Sequence, residues 1–135
     1  MKKELEMVER FHRAFGVCLN EAPTLDIPAQ IHELRLRILR EEVEEYGEEF
    51  ARGGDAAQRL QAVAKELADI AYVLFGTVIT HGLQEQFERV FEEVHRSNMS
   101  KLDAQGRPVC RADGKVLKSE LYREPDLTFL TPGKK

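Results

Sequence analysis

The segment between Pro28 and the pair Gly53-Gly54 carries apolar residues on two sides of one helix, and this pattern strongly constrains the fold. On a wheel of about 100° per residue, one apolar stripe begins at Ile31, and a second stripe, roughly opposite, ends at Phe50. A helix with two apolar sides is normally packed between other elements. The sequence therefore predicts a layered helical structure with this helix near its centre.

Periodic apolar spacing predicts three further helices in the first hundred residues. Four predicted segments cover about Lys2 to Phe15, Pro28 to Gly53, Asp55 (as N-cap) to His81, and Gln84 to Asn98. Short connections between the helices favour an all-α fold, an antiparallel four-helix bundle. The chain of 135 residues is expected to be a single domain, with residues 1–100 forming the bundle.

Residues 101–135 are predicted to form an irregular tail that packs on the same domain. In this tail, Asp113-Gly114 lies between residues compatible with strands and indicates a short hairpin near residues 109–118. The tail holds eight Lys/Arg against five Asp/Glu, a net charge of +3, whereas the whole chain has a net charge of −4. An acidic body with a basic tail argues against a general nucleic-acid-binding protein.

The sequence also indicates the cellular location of the protein. No apolar run approaches the roughly 20 residues that span a membrane, and the charged start of the chain lacks the apolar core of a signal peptide. A cytoplasmic protein is therefore expected. Cys18 and Cys110 stand alone, without a CxxC or His-rich neighbourhood, which favours reduced thiols over a disulfide or a zinc site.

The glutamates of the second helix fall into two groups. Glu41, Glu42 and Glu45 continue the first apolar stripe, which thus turns from aliphatic to acidic without changing direction. Glu49 lies on the same side of the helical wheel as these three residues. Glu44 and Glu48 lie on the margin of the stripe and are expected to be solvated. Taken alone, a charge run of this kind is most often a solvated helix face.

The third helix contains a second acidic pair. Asp69 lies inside the apolar run from Leu67 to Phe75, and Glu66 projects from the same side three residues earlier. A buried carboxylate must be paired, protonated or bound to metal. The four helices offer no lysine or arginine on a clearly matching apolar stripe, so a metal site shared by the two central helices is favoured over an ion pair.

The candidate ligands are all oxygen donors: Glu41, Glu42, Glu45, Glu66 and Asp69. Such a set suits Mg²⁺, with Mn²⁺ as a substitute, and a magnesium ion often completes its shell with phosphate. The number of carboxylates indicates either a second ion or a free general base. Asn98 and Lys101, at the end of the fourth helix, suit phosphate oxygens, although both are also common residues near a helix C-terminus.

The acidic residues, with Glu41-Glu42-x-x-Glu45 followed by Glu66-x-x-Asp69, resemble the EExxE…ExxD signature of the MazG-like all-α nucleoside triphosphate pyrophosphohydrolases. The segment from His95 to Lys101 resembles the HRxNxSK segment of a branch that includes dUTP-preferring members. The similarity covers roughly residues 30–125.

This resemblance implies Mg²⁺-dependent hydrolysis of a nucleoside triphosphate between the α- and β-phosphates, with dUTP or a non-canonical nucleotide as the candidate substrates. It implies that Glu42, Glu45, Glu66 and Asp69 bind metal, and that Glu41 binds a further ion or, like Glu42, orients the attacking water. It also implies that Asn98, Lys101, Lys115 and Arg111 bind phosphate or sugar, and that the protein is a homo-oligomer, with a dimer favoured.

Two alternatives remain open. A di-iron oxidoreductase would use the pairs Glu9-x-x-His12 and Glu92-x-x-His95, but the second pair falls outside its apolar stripe. His12 does lie near a stripe, where a packed core histidine is expected rather than a ligand. The other alternative is a non-catalytic relative that binds nucleotides.

Overall fold

The structure, a computed structural model, describes residues 1–133 of the chain. This part of the chain contains four α-helices: α1 (Lys2–Phe15), α2 (Ala29–Ala51), α3 (Ala56–Thr80) and α4 (Phe87–Met99). It contains no β-strand, only isolated bridges. The predicted all-α class is confirmed, together with the four helices expected of a bundle. None of the helices in residues 1–133 has the length and apolar content needed to cross a membrane.

The chain divides into two compact units. The first unit contains residues 1–85 together with Pro132 and Gly133, and therefore includes α1, α2 and α3. The second unit contains residues 86–131, which are α4 and most of the tail. The predicted single domain stays a prediction.

The first unit is built on α3, against which both α1 and α2 pack. Leu5 and Val8 of α1 and Val78 and Ile79 of α3 are buried and form its apolar core. The N-terminus of α3 is capped as predicted, because the Asp55 carboxylate accepts hydrogen bonds from the backbone amides of two residues in the first turn. This cap satisfies amides that have no partner within the helix.

The loop between α1 and α2 is fixed to the C-terminal end of α3 by backbone hydrogen bonds. The Asn20 amide donates to the Ile79 carbonyl at 3.1 Å, and the Thr24 amide donates to the His81 carbonyl at 3.0 Å. Gly82 follows with a positive φ of 67°, and a β-carbon built there would lie 2.0 Å from the carbonyl oxygen of Ala22. Glycine is therefore required at this position for its backbone conformation and for its lack of a side chain.

Two buried polar side chains join the three helices of this unit. Arg35 of α2, only 8% exposed, donates from Nη2 to the Val73 carbonyl and from Nε to the Thr77 hydroxyl. His12 of α1 is 2% exposed, and its Nδ1 lies 2.9 Å from the Cys18 carbonyl oxygen. Both approach Gly76, where a β-carbon would lie within 3 Å of each side chain. The expected core histidine is confirmed, whereas Arg35 was not identified as a buried residue.

The second unit ties the tail to α4. Ser97 is buried and donates its hydroxyl to the Arg123 carbonyl, while the Asp126 amide donates to the Glu93 carboxylate at 2.6 Å. Hydrogen bonds from Arg96 and from this amide lower the pKa of Glu93 to about 2. These contacts fasten the described part of the tail, which contains no strand or helix, to α4.

The predicted hairpin is present as a turn with little pairing around it. The Arg111 amide donates to the Lys115 carbonyl at 2.8 Å, and Gly114 supplies the positive φ of the turn. Cys110 and Val116 form an isolated antiparallel bridge. The Asp-Gly signal thus predicts the turn correctly, but the flanking residues do not extend it into strands.

Gly82 offers a test of the anchored loop, with Gly16 as a matched control. Both residues have φ near 65°, but only Gly82 has backbone atoms where a β-carbon would go. Gly16→Ala should lower the free energy of unfolding by about 1–2 kcal/mol because of the left-handed conformation. Gly82→Ala should lower it by about 1–3 kcal/mol more because of the clash. Equal losses in urea unfolding would contradict the close approach.

Candidate functional site

Three carboxylates from the two long helices converge in the first unit. Glu42 and Glu45 lie one turn apart on α2, and Glu66 faces them from α3. One carboxylate oxygen of each lies within 4.8 Å of the others. We call this group the carboxylate cluster. Glu66 is buried, Glu42 is half-buried and Glu45 is exposed, so the cluster opens to solvent on one side.

The surroundings of Glu42 favour its protonated form more than water does. Burial, followed by repulsion from Glu45, Asp69 and Glu66, raises the pKa of Glu42, whereas Lys65 acts in the opposite direction. Desolvation is thus the first cause of the raised pKa, and the negative charge of the neighbouring carboxylates adds to it. The cluster has the charge and donor atoms that a divalent cation requires.

Asp69 differs from its prediction in two respects. Its side chain is 40% exposed rather than buried, and its Oδ2 pairs with Lys65 Nζ at 2.9 Å. The same ammonium lies 3.0 Å from Glu66 Oε1. The sequence offered no lysine or arginine on a clearly matching apolar stripe, which favoured a metal site over an ion pair, but the structure shows that Lys65 pairs with both carboxylates. A helical wheel shows the direction in which a side chain leaves the backbone, but Lys65 has a four-carbon chain that carries its charge to another face.

The other glutamates of α2 lie outside the carboxylate cluster. Glu41 is exposed, with its carboxylate 3.7 Å from Arg37 Nε, and Glu49 pairs with Arg52 at 2.6 Å. Glu44 and Glu48 are exposed, as expected. The predicted role of Glu41 at a further ion or at the attacking water stays a prediction.

The predicted phosphate-binding residues all belong to the second unit, where several contact each other or nearby residues. Lys101 Nζ donates to Asn98 Oδ1 at 2.7 Å, and the Arg111 guanidinium pairs with the Asp113 carboxylate. Lys115 is exposed beside the same turn. These contacts fit local structural roles, and the predicted roles of Asn98, Lys101, Arg111 and Lys115 at phosphate stay predictions.

The histidines do not form a metal site within residues 1–133. Burial lowers the pKa of His12, and its Nδ1 is directed at the Cys18 carbonyl rather than at a carboxylate. Glu9, its partner in the di-iron alternative, instead pairs with Arg13 at 2.7 Å. The carboxylate cluster is the group of potential ligands that this part of the chain brings together.

The fold and the cluster define an α-helical protein with a carboxylate-rich centre between two helices, an arrangement suited to a metal-dependent phosphohydrolase. The sequence model of the phosphoribosyl-ATP pyrophosphohydrolase family matches residues 8–98, about two thirds of the chain. The chain belongs to this family, which is related to the MazG-like all-α pyrophosphohydrolases. A comparison with curated protein sequences finds no significant match.

Family membership confirms the coarser part of the functional prediction. The chain is a hydrolase of the pyrophosphohydrolase type, which acts on a phosphoanhydride of a nucleotide-like substrate. The matched segment contains α2 and α3 and ends at Asn98, so it includes the whole carboxylate cluster together with Glu41 and Asp69.

Repulsion within the cluster predicts that the metal-free protein gains stability when one of its charges is removed. Glu42→Gln, in the presence of a chelator at pH 7.5, should raise Tm by about 1–3 °C, because each like-charge contact costs a few tenths of a kcal/mol. Glu44→Gln, on the exposed side of the same helix, should leave Tm unchanged. A lower Tm for Glu42→Gln, measured by circular dichroism, would contradict the repulsion.

Proposed function

We propose that this protein hydrolyses a nucleoside triphosphate, either ribo or deoxyribo, between the α- and β-phosphates and releases the monophosphate and diphosphate. The observation that carries the proposal is the convergence of Glu42, Glu45 and Glu66 within 4.8 Å in a pyrophosphohydrolase family member. A nucleotide substrate is consistent with a cytoplasmic location, which forms part of the proposal.

The donor atoms of the cluster fit Mg²⁺, with Mn²⁺ as a substitute. All are carboxylate oxygens, the kind of ligand preferred by hard divalent cations, and none is a thiolate or an imidazole. Glu42, Glu45, Glu66 and Asp69 would hold the ion, and Glu41 is the candidate for a second one. When bound, the metal neutralises the triphosphate and lowers the pKa of a coordinated water.

The protein's own groups accept a proton and bind the phosphate chain in this reaction. A water molecule attacks the α-phosphorus, its proton passes to a carboxylate, and the bridging oxygen leaves with the diphosphate. Glu41 and Glu42 are the candidates for the carboxylate that accepts the proton, and burial raises the pKa of Glu42 above the usual value of a glutamate. Asn98, Lys101, Arg111 and Lys115 stay the proposed residues for binding phosphate or sugar.

Two substrate classes have support. The resemblance in the segment from His95 to Lys101 favours dUTP or a non-canonical nucleotide, which would make this a house-cleaning enzyme. The family match instead favours phosphoribosyl-ATP, which contains the same triphosphate chain. Both substrates would be cleaved by the same chemistry, so only the groups that contact the base and the sugar distinguish them.

A substrate panel tests the activity. Purified protein with Mg²⁺ should release diphosphate from at least one of the canonical nucleoside triphosphates, dUTP, oxidised nucleotides or phosphoribosyl-ATP, and EDTA should stop the release. Glu66→Gln and Asp69→Asn should lower kcat by at least about 100-fold through loss of metal ligands. Glu44→Gln is the control and should retain wild-type kcat. Release of orthophosphate alone, or unchanged rates in both ligand variants, would refute the proposal.

We also propose that the protein is a homodimer. The second apolar stripe of α2 remains uncovered, since Val43 is 54% exposed and Phe50 is 63% exposed. On α3, Leu60 and Leu67 are likewise exposed. Large apolar residues that are exposed along two long helices are typical of an interaction surface, and a second copy would cover the same residues on both chains.

The dimer is tested by placing charge on this face. Val43→Asp and Phe50→Asp should convert a species of twice the chain mass into a monomer in sedimentation equilibrium, because a dimer would bury each charge without a partner. Glu44→Ala, one position away on the exposed side, should remain dimeric. A wild-type protein that sediments as a monomer at micromolar concentration would eliminate the proposal.

A further inference from the structure

The Lys65 ammonium bonds to two of the proposed metal ligands at once. Its Nζ lies 3.0 and 3.2 Å from the two oxygens of Glu66 and 2.9 Å from Asp69 Oδ2. Glu66 is almost fully buried, whereas the Lys65 side chain is 62% exposed. The charge therefore reaches a buried carboxylate from a side chain that lies mostly in solvent.

The position of this ammonium disfavours a metal ion on the same oxygens. A magnesium ion lies about 2.1 Å from each carboxylate oxygen that it binds. Nζ contacts both oxygens of Glu66 and one of Asp69, so an ion on these atoms would share them with the ammonium. Two cations that share the same oxygens repel each other in a partly buried site. The lysine and the ion therefore compete for these carboxylates.

We propose that Lys65 is a tethered counter-cation, which competes with the divalent metal for Glu66 and Asp69 and sets the metal concentration at which the site fills. This inference rests on the proposed function, because it takes the carboxylate cluster and Asp69 to be the metal site. In the metal-free protein the lysine offsets part of the carboxylate repulsion. When the metal binds, the flexible Lys65 side chain leaves the two carboxylates. Its ammonium is then hydrated by the solvent that already surrounds the side chain.

The expected size of the competition follows from the exposure of Lys65. Ion pairs made by exposed side chains contribute little to stability, so the lysine cannot exclude the metal but can weaken its binding. One ammonium also leaves most of the four negative charges of Glu42, Glu45, Glu66 and Asp69 uncompensated, and the attraction for a divalent ion persists. Lys65 therefore lowers the affinity of the site for a divalent metal ion without preventing the ion from binding.

The test compares Mn²⁺ binding by titration calorimetry in four proteins. Lys65→Gln should bind Mn²⁺ about three- to tenfold more tightly than wild type, because a competing charge is removed. Lys65→Arg keeps the charge and should bind within about twofold of wild type. Lys2→Gln, which removes an exposed lysine from α1, is the matched control for net charge and should bind like wild type.

Thermal unfolding gives a second readout that does not depend on activity. Without metal, Lys65→Gln should have a lower Tm than Lys2→Gln, and saturating Mn²⁺ should raise its Tm by more than it raises that of wild type. Equal or weaker Mn²⁺ binding by Lys65→Gln overturns this inference alone and leaves the metal site standing. Absence of Mn²⁺ binding in all four proteins overturns the inference together with the proposed metal site.

Discussion

The packing of α2 against α3 forces like charges together, and the proposed metal chemistry of this protein depends on that constraint. Glu42 and Glu45 on one helix and Glu66 on the other are closer than they would remain in an unfolded chain. Burial of Glu42 and repulsion from the neighbouring carboxylates both raise the pKa of Glu42, and both oppose folding. The helix contacts and the apolar core must therefore supply enough free energy to offset a penalty that folding itself creates.

A buried arginine contributes to holding these two helices in register. Arg35 crosses from α2 to the Val73 carbonyl and the Thr77 hydroxyl of α3, two to three turns from Glu66 along the helix. No carboxylate pairs with it in the described part of the chain, and burial lowers its pKa. A charged guanidinium on a backbone carbonyl forms a strong, directional bond, which fixes the axial position of one helix relative to the other.

The sequence predicted the positions of the helices well, but it predicted only some of the side chains that surround the carboxylate cluster. Helical periodicity located all four helices, and the Asp55 cap was correct because capping depends on neighbouring residues alone. The positions of Glu42, Glu45 and Glu66 on the helical wheel also predicted correctly that these side chains converge. Lys65 was missed because its ammonium lies far from the direction of its β-carbon. Arg35 was missed because its wheel position lies between the two apolar stripes, and its partners are a backbone carbonyl and a threonine.

The anchoring of the loop between α1 and α2 divides α3 into two parts of very different local stability. From Gly76 to Gly82 the chain is mostly buried and bonded to the loop, whereas every residue from Ala51 to Gln61 is exposed. Local opening should therefore begin at the N-terminal end of α3 and stop before its C-terminal end. Glu66 lies near the boundary between these parts, so fraying of a few turns would separate the carboxylates without unfolding the core. The carboxylate cluster thus lies at the edge of a segment of low local stability. Binding of the proposed ion would therefore also order the N-terminal turns of α3 and slow hydrogen exchange of their amides.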